Sequence, residues 1–347
     1  MAQVQSADSF QALKAALRAK TPERVYIFHG EEKFLLNYYL QQLRKLLVDP
    51  LTESFNFHKL TAEQFDVRAL SEAVENLPMM ADRTMVWVDE VDIFKLPEDD
   101  RTKLQQVISD VPEYCTVVFT YETTAWKPDK RLKKYWDTIE SYAQIVEFAK
   151  QDHKDLVSWI SRHFAANQKN ISTQLCMYLI DITGGTMTAL AGEIEKICAY
   201  SDAPAITKAD IDAVTEPVLD AVVFDMTNFL TDGKSGQAFE KLQELLKLQN
   251  DPIAILGAIG GHFRRISAAR VVLDSGKGVD ALCKLANLKE YPAQKTMAVA
   301  RKISASSLAK ISQLVLETDY RMKTSYDEPK RLLEILLLQI SQEARNV

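Results

Sequence analysis

The stretch VYIFHGEEKFLLNYYL, Val25–Leu40, decides the fold. Val25–His29 has the character of a buried strand, Gly30 turns the chain, and Leu36, Leu40, Leu43 and Leu47 then recur at helical spacing. Strand, glycine turn and helix in that order are what a phosphate-binding P-loop is built from. There the glycines let backbone N–H groups converge on the phosphates, a lysine neutralises charge and a hydroxyl holds magnesium. This turn does not supply those groups. Counting from Gly30, the second glycine position is Leu35, the lysine position is Leu36 and the hydroxyl position is Asn37. Glu31 and Glu32 would repel a phosphate. The residues therefore read as a degenerate turn, Gly30-Glu31-Glu32, retained for folding, with no nucleotide, cofactor or metal held there.

Working outward, the first 148 residues alternate helix and strand signals. A helix is predicted from near Ser9, with Phe10, Leu13 and Leu17 on one face. Phe55 and Phe57 mark a second strand, and Val67, Leu70, Val74 and Leu77 a further helix. Thr84–Glu90, Thr116–Tyr121 and Gln144–Phe148 read as buried strands. Short apolar runs alternating with helices predict a parallel sheet covered on both faces, an α/β domain over 1–148. After Phe148 the strand signals stop. Gly184-Gly185 is placed to cap a helix, and Ile206–Val214 reads as a short capped one. From Pro217 every segment is helical by period. The predicted division is 1–148 α/β, 149–216 a small helical domain, and 217–347 a larger helical domain.

Composition sets the outer bounds. Of 347 residues, 47% are hydrophobic and 26% charged, which suits a globular chain with sizeable cores. The net charge of −6 is uneven. From Pro217 on there are 18 basic and 15 acidic residues, a balance of +3, against −9 for the rest. A mildly basic C-terminal third is compatible with nucleic acid meeting that third, and equally with scattered solvated charge. Cys115, Cys176, Cys198 and Cys283 form no CxxC pair and read as buried thiols of a reducing compartment. No apolar run reaches the ~18 residues of a membrane span, and no signal-peptide pattern is present, so a cytoplasmic, membrane-free protein is expected.

Other short motifs bear on chemistry. Gly233-Lys234-Ser235 lacks the partner glycine, since Asn228 stands there, and it joins two helical segments instead of following a strand. Asp89-Glu90 ends a strand as a Walker B pair would, but has no phosphate cradle to act with and reads as a strand terminus. No G-x-S-x-G, HExxH or cysteine–histidine grouping suggests catalysis. NLPMMADRTMVWV, Asn76–Val88, is more informative. Pro78 ends a helix, so Met79 and Met80 sit at a corner of the α/β domain. Long unbranched side chains there could plug a partner's pocket or fold back onto the sheet; composition leaves both open.

Taken together and in order, these segments resemble one family, the delta subunit of the bacterial DNA polymerase III clamp loader. VYIFHGEEKFLL and NLPMMADRTMVWV carry the likeness at the N-terminal end. GGTMTALAGEIEKICAYSDAPAITKADI carries it in the middle, and FDMTNFLTDGKSGQAFEKLQELL, DPIAILGAIGGHFRRI and ETDYRMKTSYDEPKRLLEILLL towards the end. The resemblance implies an AAA+ type α/β domain, a helical lid and a helical collar, with no ATP bound by this subunit. The chain has no Ser-Arg-Cys arginine-finger motif, as that family's delta lacks one. It departs in the acidic Asp89-Glu90 and in the double methionine, where the family often has Leu-Phe.

What the resemblance implies is mechanical and non-enzymatic. Leu77, Met79 and Met80 would enter a hydrophobic pocket of the sliding clamp, the beta subunit, and hold its ring open for loading onto primed DNA. The collar would join the gamma/tau motor subunits and delta prime. Tyr326 matches a position that can meet template DNA, and Lys323 could pair with phosphate nearby, although a helix-end packing role for Tyr326 stays open. Arg264 and Arg265 suit the collar's helix surface better. The competing readings are an active AAA+ ATPase of another class, which needs a phosphate site at Gly30 or Asp89, and a DNA-binding adaptor, which needs a stronger basic surface.

Overall fold

The computed structural model describes residues 2–345. The chain forms two compact units, one up to Gln151 and one from Asp152. In the first, helices Ala2–Ala19 (α1), Lys33–Leu47 (α2), Glu53–Asn56 (α3), Val67–Glu75 (α4), Glu98–Ser109 (α5) and Lys133–Tyr142 (α6) alternate with strands. The strands are Val25–His29 (β1), Phe57–Thr61 (β2), Thr84–Asp89 (β3), Cys115–Tyr121 (β4) and Gln144–Glu147 (β5). They form one parallel sheet in the order β2-β3-β4-β1-β5.

The apolar runs become strands because both faces of the sheet are covered. Successive residues point to opposite faces. Val25 and Ile27 of β1 join Val117 and Phe119 of β4 under α4, α5 and α6. Tyr26 and Phe28 join Val118, Met85 and Phe148 under α1 and α2. Leu36, Leu40, Leu43 and Leu47 all lie on the buried stripe of α2. Burying each removes enough apolar surface to stabilise the unit by about 2 kcal/mol.

Two local expectations need correction. Helix α1 starts at Ala2, before the first apolar residue of its stripe, so the periodic signal marks only part of it. Phe55 is not in the second strand. It lies in the single turn α3 and is exposed, and β2 begins at Phe57. The backbone N–H of Asn56 donates to the Thr52 carbonyl, 3.2 Å, and its side chain to the Thr52 hydroxyl, 2.9 Å. Local side-chain bonding of this kind competes with extended pairing.

The second unit is helical: His153–Ala166 (α7), Thr173–Thr183 (α8), Met187–Tyr200 (α9), Lys208–Val214 (α10), Leu219–Thr231 (α11), Ser235–Lys247 (α12), Pro252–Asp274 (α13), Val279–Ala286 (α14), Glu290–Ala300 (α15), Ala305–Thr324 (α16) and Pro329–Arg345 (α17). Gly184 caps α8 in the left-handed region, φ 76°. Thr207 and Asp210 close a capping box on α10, as Ile206–Val214 predicts. One large core draws its buried residues from Val222 to Ile340, all beyond the predicted boundary at 216. The chain from Asp152 clusters as one compact unit. Among the described residues no single helix is long and apolar enough to cross a membrane.

Candidate partner-binding tip and degenerate nucleotide turn

Gly30 is needed by the backbone around it. Its φ is 132°, and a Cβ there would lie 2.3 Å from the Phe148 carbonyl oxygen and 2.7 Å from the Phe148 nitrogen. The turn is clasped to the chain leaving β5. Phe148 N–H donates to the His29 carbonyl at 2.7 Å, and Glu32 N–H donates to the Phe148 carbonyl at 2.9 Å. So the N–H that a P-loop would aim at a phosphate is spent on Phe148. Leu36, in the lysine position, is fully buried. Asn37, in the hydroxyl position, donates to the Lys33 carbonyl of its own helix, 3.2 Å. The Glu32 carboxyl is buried at the start of α2, where a phosphate would otherwise sit. Burial raises its pKa, partly offset by the nearby Phe34 N–H and the Lys150 charge.

The Walker B-like pair is equally occupied. Asp89 is in an ion pair with Lys59, 2.8 Å, and accepts from the Thr120 hydroxyl, 2.9 Å, which in turn accepts from the Trp87 indole N–H, 2.7 Å. Glu90, at φ 62°, turns its carboxylate onto the loop after β4. It accepts from the backbone N–H groups of Glu122, Thr123 and Thr124 and from the Thr123 hydroxyl, 2.7 Å. Partial burial pushes this carboxyl up, but the Thr123 hydroxyl and the three N–H donors outweigh it and hold the pKa at about 2. Among the described residues no group of three or more His, Cys, Asp or Glu is placed to hold a metal ion.

Glu90 therefore clamps one loop, and its effect on stability has a fixed pH signature. Because its folded pKa lies below the unfolded value, its contribution is complete above about pH 4.5 and is lost as pH falls towards 2. Glu90→Gln is expected to destabilise the chain at pH 7 by about 1 kcal/mol after allowance for solvent screening. The variant should also unfold with a shallower pH dependence between 5 and 2. Urea unfolding across that range checks both, and parallel curves for the two proteins would refute the clamp.

The methionine corner lies between α4 and β3. Leu77 is 76% exposed, Met79 51% and Met80 90%. Of the two arrangements open to these methionines, the exposed one is found. Met79 N–H donates to the Asn56 side-chain oxygen, 2.8 Å, and the Asn56 amide donates back to the Met79 carbonyl, 2.9 Å. Met80 takes a left-handed backbone, φ 54°. Leu51 and Phe55, on the segment that carries Asn56, are exposed as well. Asn56 itself escaped sequence reasoning, because a buried amide has no periodic signal.

At the other end of the chain, Tyr326 is fully exposed between α16 and α17. Lys323 is paired with Asp319 at 2.7 Å and Arg321 with Asp327 at 2.7 Å. These pairs are solvent-exposed and individually weak. Arg264, on α13, is exposed. Gly233-Lys234-Ser235 forms the turn between α11 and α12, with no strand before it.

Comparison with known proteins places the chain. The family model described as DNA polymerase III, delta subunit, matches residues 26–149, and the model of that subunit's C-terminal domain matches residues 220–340. The DNA polymerase III subunit delta of Bacillus subtilis is 26% identical over 324 residues, covering 91% of this chain and 92% of that protein. A probable DNA polymerase III subunit delta of Aquifex aeolicus is 20% identical over 285 residues, 81% of this chain and 80% of that one. Among solved structures, the Bacillus subtilis DNA clamp loader delta protein superposes with a TM-score of 0.68 at 24% identity, covering 96% of this chain and 99% of that one. The fold is thus an α/β unit built on a parallel sheet and followed by helices, as expected. With one model on the sheet-bearing unit and its C-terminal counterpart on the helical end, in chain order, this protein belongs to the family of DNA polymerase III delta subunits.

Proposed function

We propose that this subunit opens, or holds open, the sliding clamp by pressing Leu77, Met79 and Met80 into a hydrophobic pocket of the ring, without binding nucleotide itself. The observation that carries the reading is the apolar tip: three exposed side chains on a corner whose backbone is tied to a buried amide. Solvated apolar groups presented this way suit a pocket better than a free surface. The degenerate turn supports the second half. Its N–H is bonded to Phe148, its lysine position is a core leucine, and a buried carboxyl stands at the helix start. ATP chemistry then falls to the motor subunits, and this chain acts through differential affinity for open and closed rings.

Residues 149–216 serve as the lid and 217–347 as the collar joining gamma/tau and delta prime subunits. Primed DNA meets the collar's end at Tyr326, which is free to stack on a base, with Lys323 releasable from its exposed pair. The setting is the bacterial cytoplasm. The test is capture of the isolated chain by an immobilised sliding clamp, with and without ATP. Capture without nucleotide, unchanged when ATP is added, is expected. Failure to capture, or a requirement for ATP, would overturn the reading.

A further inference from the structure

We propose that Asn56 is the positioning residue of the clamp-contacting tip; this rests on the reading of Leu77, Met79 and Met80 given above. The Asn56 side chain is fully buried, yet its carboxamide reaches 23 residues along the chain to bond both backbone groups of one residue, Met79. Among the described residues, these two are the only hydrogen bonds made by the segment from Leu77 to Arg83. The carboxamide is suited to this. It offers a donor and an acceptor side by side, and so matches an N–H and a C=O as a neighbouring strand would. Aspartate would only accept, and leucine would do neither. The Thr52 hydroxyl, 2.9 Å from the same amide nitrogen, fixes which way the carboxamide faces.

Fixing Met79 has a direct consequence for Met80. A left-handed backbone at a residue other than glycine or asparagine costs about 1–2 kcal/mol and persists only where the surroundings impose it. The imposing group is the Met79–Asn56 pair one residue earlier. The result is that Met80 stands out into solvent ready-made. Without the tether, a flexible segment of seven residues would have to be ordered at the moment of docking, at about 1 kcal/mol or more per residue fixed. A tip that is correctly formed only a tenth of the time binds about tenfold more weakly.

The test uses the full chain with the Asn56→Leu substitution, which keeps the branching and heavy-atom count of the side chain while removing both bonds. Two quantities are read: amide hydrogen exchange, and affinity for the sliding clamp. Expected are free-peptide exchange at Met79, retained protection of Met85–Val88 in β3, and clamp affinity lowered about tenfold. Unchanged affinity in the folded variant would overturn the positioning role and leave the methionine reading to its own alanine test. Loss of β3 protection together with that of Met79 would also overturn it, since Asn56 would then be supporting the sheet. Thr52→Val is the milder partner should Asn56→Leu fold poorly. It frees the carboxamide to rotate and is expected to show the same two effects in smaller measure, and the absence of both would count against the proposal.

Discussion

Replacing Met79 and Met80 together by alanine is expected to lower affinity for the sliding clamp by at least about 100-fold while leaving the thermal midpoint unchanged. The two halves of that outcome come from the same observation. Met80 is 90% exposed and Met79 51%, so neither contributes much to the core, and truncating exposed side chains shifts stability by only a few tenths of a kcal/mol. An apolar side chain that moves from water into a partner's pocket behaves oppositely. Interface anchors lose about 2 kcal/mol or more each on truncation, which is about 30-fold in affinity. Two adjacent anchors need not add fully, hence the conservative bound. Methionine also fits the task through its shape. Its unbranched thioether can adapt to an irregular pocket where a β-branched residue could not. Surface capture of the clamp by wild type and variant, beside matched melting curves, reads both quantities. Equal affinities would move the interface elsewhere, with Tyr326 and the exposed face of α16 the next places to look.

Much of the fold could be read from residue pattern because the physics there is local and periodic. Strands β1, β3 and β4 are near-continuous apolar runs because both faces of the sheet are covered, and such runs announce themselves. The caps at Gly184 and Thr207 were legible for the same reason, since each solves a helix-end problem with a short-range residue choice. Phe55 misled because an aromatic two positions before another looks like strand alternation, whereas the hydrogen bonds of Asn56 to Thr52 keep that turn helical. The exposure of Met79 and Met80 could not be derived from composition. Whether a flexible apolar side chain turns inward depends on a tether from a segment more than twenty residues away, and pairings at that range leave no trace in spacing. The pairing of Asp89 with Lys59 and of Glu90 with the loop after β4 was hidden in the same way. Sequence pattern alone made them ambiguous acids; their partners make them structural ones.

The same distinction decides what Gly30→Ala should do. In a phosphate loop, a glycine leaves room for a ligand, and substitution would damage binding first. Here the space beside Gly30 is filled by the protein's own backbone: the Phe148 oxygen would sit 2.3 Å from the new Cβ, and the Phe148 nitrogen 2.7 Å. Backbone cannot swing aside as a side-chain end can. At φ 132° the alanine would also adopt a conformation that L-residues avoid. Relief requires breaking the Glu32–Phe148 and Phe148–His29 hydrogen bonds, which hold α2 and the end of β5 to β1. Strain and lost hydrogen bonds together are expected to destabilise the sheet-bearing unit by about 4 kcal/mol, at the upper end for single substitutions. Urea unfolding followed through the fluorescence of Trp87, Trp126 and Trp136 would register it as a large fall in midpoint. Clamp capture should then decline only as far as the folded fraction does, since the methionine tip lies on a different turn. A variant with a near-normal midpoint would mean the Phe148 clasp is not what Gly30 serves, and the turn's claim on a phosphate would have to be reopened.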